Sequence, residues 1–284
     1  MKKYIYTLLF LAQIFPLILL GQTSIMSYNI RYDNPSDNEN SWENRKNEVA
    51  GLIEYYHPDF LGIQEGLYKQ VDFIQKNTSN YKYIGVGRDG SKKGEYSAIY
   101  YDITKFELIT QNTFWLSNRP NKISIGWDAA LPRICTYGKF KNKLTNDSIH
   151  IFNAHFDHIG VKARKKAAKL ILEKIIEYKL NNAVVIVMGD LNSTPMSEPV
   201  AIFSKKLDYG FKNSLKKFYG PLGTFNGFNN CLEIKKRIDY IFTKNITVLS
   251  YRHIDDKRVN NLCISDHIPV LVEIKNTTAN NVYN

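Results

Sequence analysis

Two short segments decide the fold: Gly-Asp-Leu-Asn-Ser-Thr-Pro at residues 189–195 and Ser-Asp-His-Ile-Pro-Val at residues 265–270. Each places a carboxylate where a loop meets a run of valine, isoleucine and leucine. A buried apolar strand fixes the backbone, and the loop at its end exposes polar side chains at the rim of the sheet. The two segments therefore predict an α/β enzyme whose functional groups lie at strand ends.

The same arrangement recurs along the chain. Predicted strands at 25–30, 60–63, 149–153 and 237–243 carry, at or near an end, the polar residues Asn29, Glu65, His155 and Asp239. Amphipathic helices are predicted between strands from apolar residues at helical spacing, without a linker or an internal repeat. Residues 23–275 are therefore predicted to form one α/β domain.

These residue types suit metal-assisted hydrolysis of a phosphate ester. The reaction needs hard oxygen ligands for Mg²⁺, a group that activates water, and donors that stabilise the developing charge. Glu65 and an aspartate can hold the metal, while His155 and Asn192 can donate to phosphoryl oxygens. For the general base the sequence favours Asp190, with His267 as the alternative.

Six segments in this order resemble the endonuclease/exonuclease/phosphatase superfamily. They lie at residues 26–30, 63–65, 153–155, 189–195, 237–241 and 265–270. The resemblance implies a four-layer sandwich of two mixed β-sheets flanked by helices. It also implies a Mg²⁺ cofactor, with Mn²⁺ as a possible substitute.

The resemblance assigns a role to each matching residue. Asn29, Glu65 and Asp266 correspond to the metal site, with Glu65 as the direct ligand. The catalytic positions are His155, Asp190, Asn192, Asp239, His267 and Glu95. Within that set, Asp239 is expected to orient His267, and Glu95 is expected to pair with His155. Arg133 corresponds, more loosely, to an arginine on the substrate side.

The substrate is left open by these motifs, because one fold serves several phosphoesters. The formal net charge of +11 favours an anionic partner, which includes nucleic acid. We therefore expect a phosphodiesterase or nuclease that uses in-line attack by water. The basic run 162–169 is a candidate contact strip, although a solvated helix face is the simpler interpretation. A phosphatase of small phosphorylated sugars or lipid headgroups is the alternative. A non-catalytic binding protein is disfavoured because Glu65, Asp190, Asn192 and His267 are all present.

The first 22 residues are typical of a secretory signal peptide, because two lysines precede a mostly apolar run that is short for a membrane span. The protein is therefore expected to be secreted or periplasmic, with no stable membrane span after processing. Residues 276–284 are expected to form a polar tail, and the protein is expected to be a monomer. Cys231 and Cys263 each precede a candidate site segment and could be neighbours, although three small buried cysteines are the simpler interpretation.

Overall fold

The computed structural model describes residues 22–230 and 233–275. The predicted signal peptide, apart from Gln22, and the predicted polar tail lie outside these residues. Cys231 also lies outside them, so its proximity to Cys263 stays a prediction. Cys263 itself is buried, and its thiol donates to Asn230 Oδ1 at 2.7 Å.

Two six-stranded mixed sheets form the centre of the molecule. The first sheet has the order β11-β12-β1-β2-β4-β3, and its strands are β1 (Gln22–Asn29), β2 (Phe60–Gln64), β3 (Tyr81–Ile84), β4 (Ile99–Asp102), β11 (Val248–His253) and β12 (Val270–Lys275). The second sheet has the order β5-β6-β7-β8-β10-β9, and its strands are β5 (Phe106–Trp115), β6 (Ile134–Asn142), β7 (Ser148–His155), β8 (Val184–Asp190), β9 (Asp208–Tyr209) and β10 (Asp239–Lys244). The described residues also form five α-helices, which are α1 (Trp42–Tyr56), α2 (Tyr68–Asn77), α3 (Val161–Glu177), α4 (Glu198–Ser204) and α5 (Gly210–Asn213).

Each sheet contains one parallel pair of strands, and a helix makes the crossover. β1 and β2 are parallel and joined through α1, while β7 and β8 are parallel and joined through α3. All other pairings between named strands of the described residues are antiparallel. Because parallel strands end at the same edge, each pair delivers its last residues to one rim of its sheet.

Alternating side chains on the strands build the apolar layers. In β1, Ile25 faces the core between the two sheets, whereas Met26 faces a separate core beneath α1 and α2. On the second sheet, Ile171 and Ile175 of α3 and Phe203 of α4 cover the outer face. The predicted four-layer sandwich is thereby confirmed. Within the described residues no helix is long and apolar enough to cross a membrane.

A polar junction joins the two sheets directly beneath their functional rim. Gln64 Nε2 donates to Asn153 Oδ1 at 2.7 Å, and Asn153 Nδ2 donates to the carbonyl oxygens of Ile63 and Ala98. Both side chains are fully buried. Gly62 lies beside this junction, where an added Cβ would come within 2.8 Å of the Asn153 side chain and 2.5 Å of Met188 Cε. Glycine at this position therefore sets how closely the sheets approach.

We expect Gly62→Ala to lower the free energy of unfolding by about 1–3 kcal/mol, because overpacking forces the sheets to shift. Gly51→Ala is the matched control. Gly51 lies on an exposed face of α1 with no atom near its missing Cβ, so alanine there should stabilise the protein by about 0.5–1 kcal/mol. Urea unfolding of both variants measures the difference. Equal effects in the two variants would contradict the close approach at Gly62.

We expect His253 to make the protein less stable as the pH falls from about 6.5 to 4. Burial lowers the pKa of this fully buried imidazole from 6.5 to about 4, while the unfolded chain takes up the proton near 6.5. Within that window the unfolded state binds more protons, so the free energy of unfolding falls by up to about 1.4 kcal/mol per pH unit. Asn in place of His253 should retain a donor for Pro221 O and flatten this slope, measured by urea unfolding at pH 7, 5.5 and 4.5. An unchanged slope would contradict the prediction.

Candidate active site

The rims of the two sheets meet in a cleft of about 600 Å³. The ends of β7, β8 and β10 are in register, with Asp190 opposite both His155 and Asp239. The cleft is lined by Arg31, Tyr32, Glu65, Arg88, Glu95, Leu131, Arg133, His155, His158, Asp190, Asn192, Phe225, Lys236, Ile238, Asp266 and His267. Eight of the ten predicted site residues therefore face one cavity. Asn29 and Asp239 are buried and contact those residues from behind.

Asn29 connects the carboxylates of the two sheets. Its Nδ2 donates to Glu65 Oε1 and to Asp190 Oδ2, both at 3.1 Å. Its Oδ1 accepts from the backbone N–H of Arg31 at 3.0 Å. Since the amide of Asn29 uses both of its N–H groups in this way, it fixes the two acids relative to each other.

Three residues reach the cleft through left-handed backbone. Arg31, Glu65 and Asn192 have φ values of 57°, 65° and 45°, a region that residues other than glycine seldom occupy. Each lies one or two residues beyond the last residue of a strand, at the end of β1, β2 or β8. The turn redirects the chain so that a polar side chain enters the cleft, a form of local strain that is typical of functional sites.

Asp190 is the buried acid at the centre of the cleft. Its Oδ1 accepts from the backbone N–H of Asn192 at 2.8 Å, and its Oδ2 lies 3.5 Å from His155 Nε2 and 3.8 Å from His267 Nε2. Burial, and then the neighbouring Asp239, raise its pKa to about 7. A carboxyl group with that pKa can take a proton from water near neutral pH.

His267 is held as a cation by carboxylates. Its Nδ1 lies 2.8 Å from Asp239 Oδ2, as the resemblance implied. Burial alone would lower its pKa, but the negative charge of Asp239, and to a smaller extent those of Asp190 and Asp266, raises the pKa to about 10. His267 is thus protonated at neutral pH, with Nε2 free to donate into the cleft. This geometry favours Asp190 over His267 as the general base.

His155 has the opposite protonation state. Burial, and then the Arg133 guanidinium, hold its pKa well below the usual range, so the ring is neutral. Arg133 Nη1 lies 3.0 Å from His155 Nδ1, and Asn192 Nδ2 lies 3.1 Å from His155 Nε2. The cleft therefore contains one cationic and one neutral imidazole on either side of Asp190.

Glu95 binds an arginine more closely than it approaches His155. Arg88 Nη1 donates to Glu95 Oε2 at 2.7 Å, whereas His155 Nδ1 is 3.8 Å from the same oxygen, beyond hydrogen-bond distance. Burial raises the pKa of Glu95 to about 7, against the effect of Arg88. The expected Glu95–His155 pairing is thus a contact beyond hydrogen-bond distance in this structure, and Arg88 is the hydrogen-bond partner of Glu95.

Asp266 and Arg31 complete the side of the cleft formed by the first sheet. Asp266 Oδ2 is 3.8 Å from Arg31 Nη1, and Arg31 also makes two hydrogen bonds to Asp37 at 2.9 and 3.0 Å. Burial raises the pKa of Asp266, His267 lowers it, and Glu65 raises it further. The guanidinium of Arg31 therefore stabilises a carboxylate that its surroundings would otherwise tend to neutralise.

The donor set fits a divalent cation. Glu65, His155 and Asp190 each offer a ligand atom within 4.8 Å of the others, and so do Asp190, Asp239 and His267. The charge on Glu65 raises the pKa of both Asp190 and Asp266, a repulsion that a bound cation relieves. Since Glu65 offers hard oxygen atoms, the first cluster suits Mg²⁺ or Mn²⁺. Among the described residues, Asp266 belongs to neither cluster, although it lines the same cleft.

Several cleft residues were not identified from the sequence. Arg31 lies two residues after Asn29, so its position beyond the strand end was a usable signal. His158 lies three residues after the end of β7, a position that left it open between a plain loop residue and a residue that supports the site; its Nδ1 lies 3.0 Å from Arg133 Nη2. Arg88 had no such signal, because its place depends on a contact distant in the sequence, the indole of Trp115 donating to the Arg88 carbonyl.

The comparisons with known proteins agree with this geometry. Residues 26–267 match the model of the endonuclease/exonuclease/phosphatase family. The chain is 37% identical to a mannosyl-6-phosphatase of Bacteroides thetaiotaomicron, covering 89% of this chain and 99% of that one, with a TM-score of 0.85. It is 33% identical to an endonuclease/exonuclease/phosphatase of Bacteroides vulgatus, covering 90% and 100% of the two chains, also with a TM-score of 0.85.

A more distant similarity is to a probable RNA exonuclease of Saccharomyces cerevisiae. It is 25% identical over 178 residues, which is 58% of this chain and 35% of that protein. The match of the family model, the identities above 30% over most of the chain, and the arrangement of the cleft agree with one another. The chain therefore belongs to the endonuclease/exonuclease/phosphatase family and is a phosphoesterase.

Proposed function

We propose that this protein is a divalent-metal-dependent phosphatase that releases phosphate from small phosphorylated sugars. The observation that carries the proposal is the form of the cleft. A cavity of about 600 Å³ suits a small ligand, and its arginines converge on the acids at its base. A phosphoryl group at the base would meet His267 and Arg133, and a sugar would occupy the remaining space.

The residues divide the chemistry among them. Glu65, which Asn29 orients, would hold the metal, and the metal would polarise the phosphoryl group. Asp190 takes the proton of the attacking water, because its pKa of about 7 leaves a substantial carboxylate fraction at neutral pH. His267, fixed by Asp239, donates from Nε2 to a phosphoryl oxygen as negative charge develops. Neutral His155 and Asn192 lie beside Asp190 and can contact the other phosphoryl oxygens.

The similarity to a mannosyl-6-phosphatase supports a sugar phosphate as substrate, since the alignment covers almost the whole of both chains. Because of this similarity we prefer a phosphatase to a nuclease, although the sequence favoured the nuclease. A nuclease is the second candidate, supported by the basic α3. Arg164 near the start of α3 donates to the carbonyl of Asp157, so the basic face of this helix begins at the rim of the cleft.

We expect Asp190→Asn and His267→Ala each to lower kcat by about 100-fold or more, the scale of a lost base or oxyanion donor. Glu65→Gln should abolish the response to added Mg²⁺. Glu198→Gln is the matched control, because exposed Glu198 lies on α4 in an ion pair with Lys165 of α3. Initial rates with p-nitrophenyl phosphate, with and without EDTA, measure these effects. Near-full activity in both Asp190→Asn and His267→Ala would contradict the assignment.

A substrate panel should separate the two candidate functions. We expect chelator-sensitive release of phosphate from mannose 6-phosphate and glucose 6-phosphate, with little cutting of plasmid DNA or RNA. A nuclease would instead cut nucleic acid, with activity that falls steeply as salt increases. Glu65→Gln should remove whichever activity is observed. Nucleic-acid cleavage without release of phosphate from sugars would overturn the proposed function.

A further inference from the structure

In the part of the chain that the structure describes, one cation that lines the cleft lacks an acidic partner. Arg31 pairs with Asp37, Arg88 with Glu95, and Arg133 with Asp157. Lys236 also lines the cleft, but it forms no ion pair within residues 22–230 and 233–275. Its neighbour Lys235 differs in this respect, because it pairs with Glu233 at 3.0 Å.

The backbone holds Lys236 at a fixed distance from the catalytic histidine. Phe225 forms antiparallel bridges with both Lys236 and His267, so the segment at Phe225 lies between the other two. The backbone N–H groups of Thr224 and Phe225 both donate to the Lys236 carbonyl, at 2.9 and 3.0 Å. Because neighbouring strands are about 4.8 Å apart, the backbones of Lys236 and His267 are about 10 Å apart.

The side chains of Lys236, Phe225 and His267 lie in the same order as their backbones. The Phe225 ring packs edge-on against His267, with their centres 5.0 Å apart, and Lys236 Nζ lies 4.8 Å from the centre of the Phe225 ring. An exposed ammonium, a half-buried aromatic ring and the cationic imidazole thus follow one another along one wall of the cleft. An aromatic face packs well against the apolar face of a sugar ring, and an unpaired ammonium in a cleft attracts a negative charge.

We propose that Phe225 and Lys236 form a specificity subsite for a second anionic group on the substrate, about one sugar ring away from the phosphate that is hydrolysed. This inference rests on the proposed function. The preferred substrate is then a phosphorylated sugar that carries another phosphate or a carboxylate. Phe225 packs against the sugar ring, and Lys236 binds the second anion. Both are specificity residues and take no part in proton transfer.

The test compares substrates with and without a second anion. Release of inorganic phosphate is measured from glucose 6-phosphate, glucose 1,6-bisphosphate and 6-phosphogluconate, with wild type, Lys236→Gln and Lys235→Gln. Wild type should prefer a doubly anionic substrate by about tenfold in kcat/KM, mainly through KM, which is the scale of one charge-assisted contact. Lys236→Gln should remove this preference, and Lys235→Gln should keep it. Comparison of glucose 1,6-bisphosphate with 6-phosphogluconate then shows whether the second anion that binds is a phosphate or a carboxylate.

Phe225→Leu is the second variant, which should raise KM for glucose 6-phosphate and glucose 1,6-bisphosphate, the two substrates with a sugar ring, while preserving the ratio between them. An equal loss of kcat/KM for all three substrates in Lys236→Gln, or a wild type without preference, would overturn the subsite.

If wild type released phosphate from none of these sugars, the proposed function would fail on its own. Calorimetric titration of Asp190→Asn with glucose 1,6-bisphosphate and glucose 6-phosphate, with and without Lys236→Gln, then decides the subsite. A tenfold weaker affinity confined to the bisphosphate supports it, and equal affinities overturn it.

Discussion

The two hydrogen bonds donated by Asn29 are the constraint on which the site depends. They join Glu65 of the first sheet to Asp190 of the second, at the one rim where both parallel strand pairs end. Two acids this close repel each other, and Asp190 is fully buried, so their separation has to be fixed by a neutral donor. Beneath the rim, the buried hydrogen bond from Gln64 to Asn153 likewise joins the two sheets through neutral polar groups. The sheets are therefore held together by polar contacts where the chemistry takes place and by apolar packing elsewhere.

The array of acids also sets the protonation of the two histidines. Asp239, Asp190 and Asp266 all face His267, and together they outweigh its burial and keep it charged. His155 is about as close to Asp190 as His267 is, but its burial and the Arg133 guanidinium at hydrogen-bond distance from its ring hold its pKa well below the usual range, so it stays neutral. Different neighbours, carboxylates around His267 and an arginine beside His155, thus give two imidazoles of one cleft different protonation states. The active site therefore contains a cationic histidine, His267, that can donate a hydrogen bond, and a neutral histidine, His155.

The strand-end motifs were predictable from the sequence because each is local. A continuous apolar run such as Val184–Met188 predicts a buried strand, and the polar residue after it must lie at the rim. β6 and β11 were not predicted, because polar residues such as Lys139, Lys141 and Arg252 break their apolar pattern. The helix α2 was also missed. The partner of Glu95 required the fold itself, since Arg88 approaches it from a loop and His155 from the end of β7, and only the tertiary structure decides which is nearer.

The pairing of the cleft arginines determines how this surface can discriminate among anions. An arginine bonded to its own carboxylate is oriented before the substrate arrives, so it can contact a phosphoryl group with little reorganisation. The same pairing cancels most of its net charge, so it contributes shape and hydrogen bonds more than attraction. His267 at the base is likewise paired, with Asp239, so within the described residues the positive charge left without a carboxylate partner on this wall is that of Lys236 at the mouth. Under the proposed subsite, the Nε2–H donor of His267 and the ammonium of Lys236 are separated by the aromatic ring of Phe225, and that spacing, more than the basic composition of the chain, would select among phosphoesters.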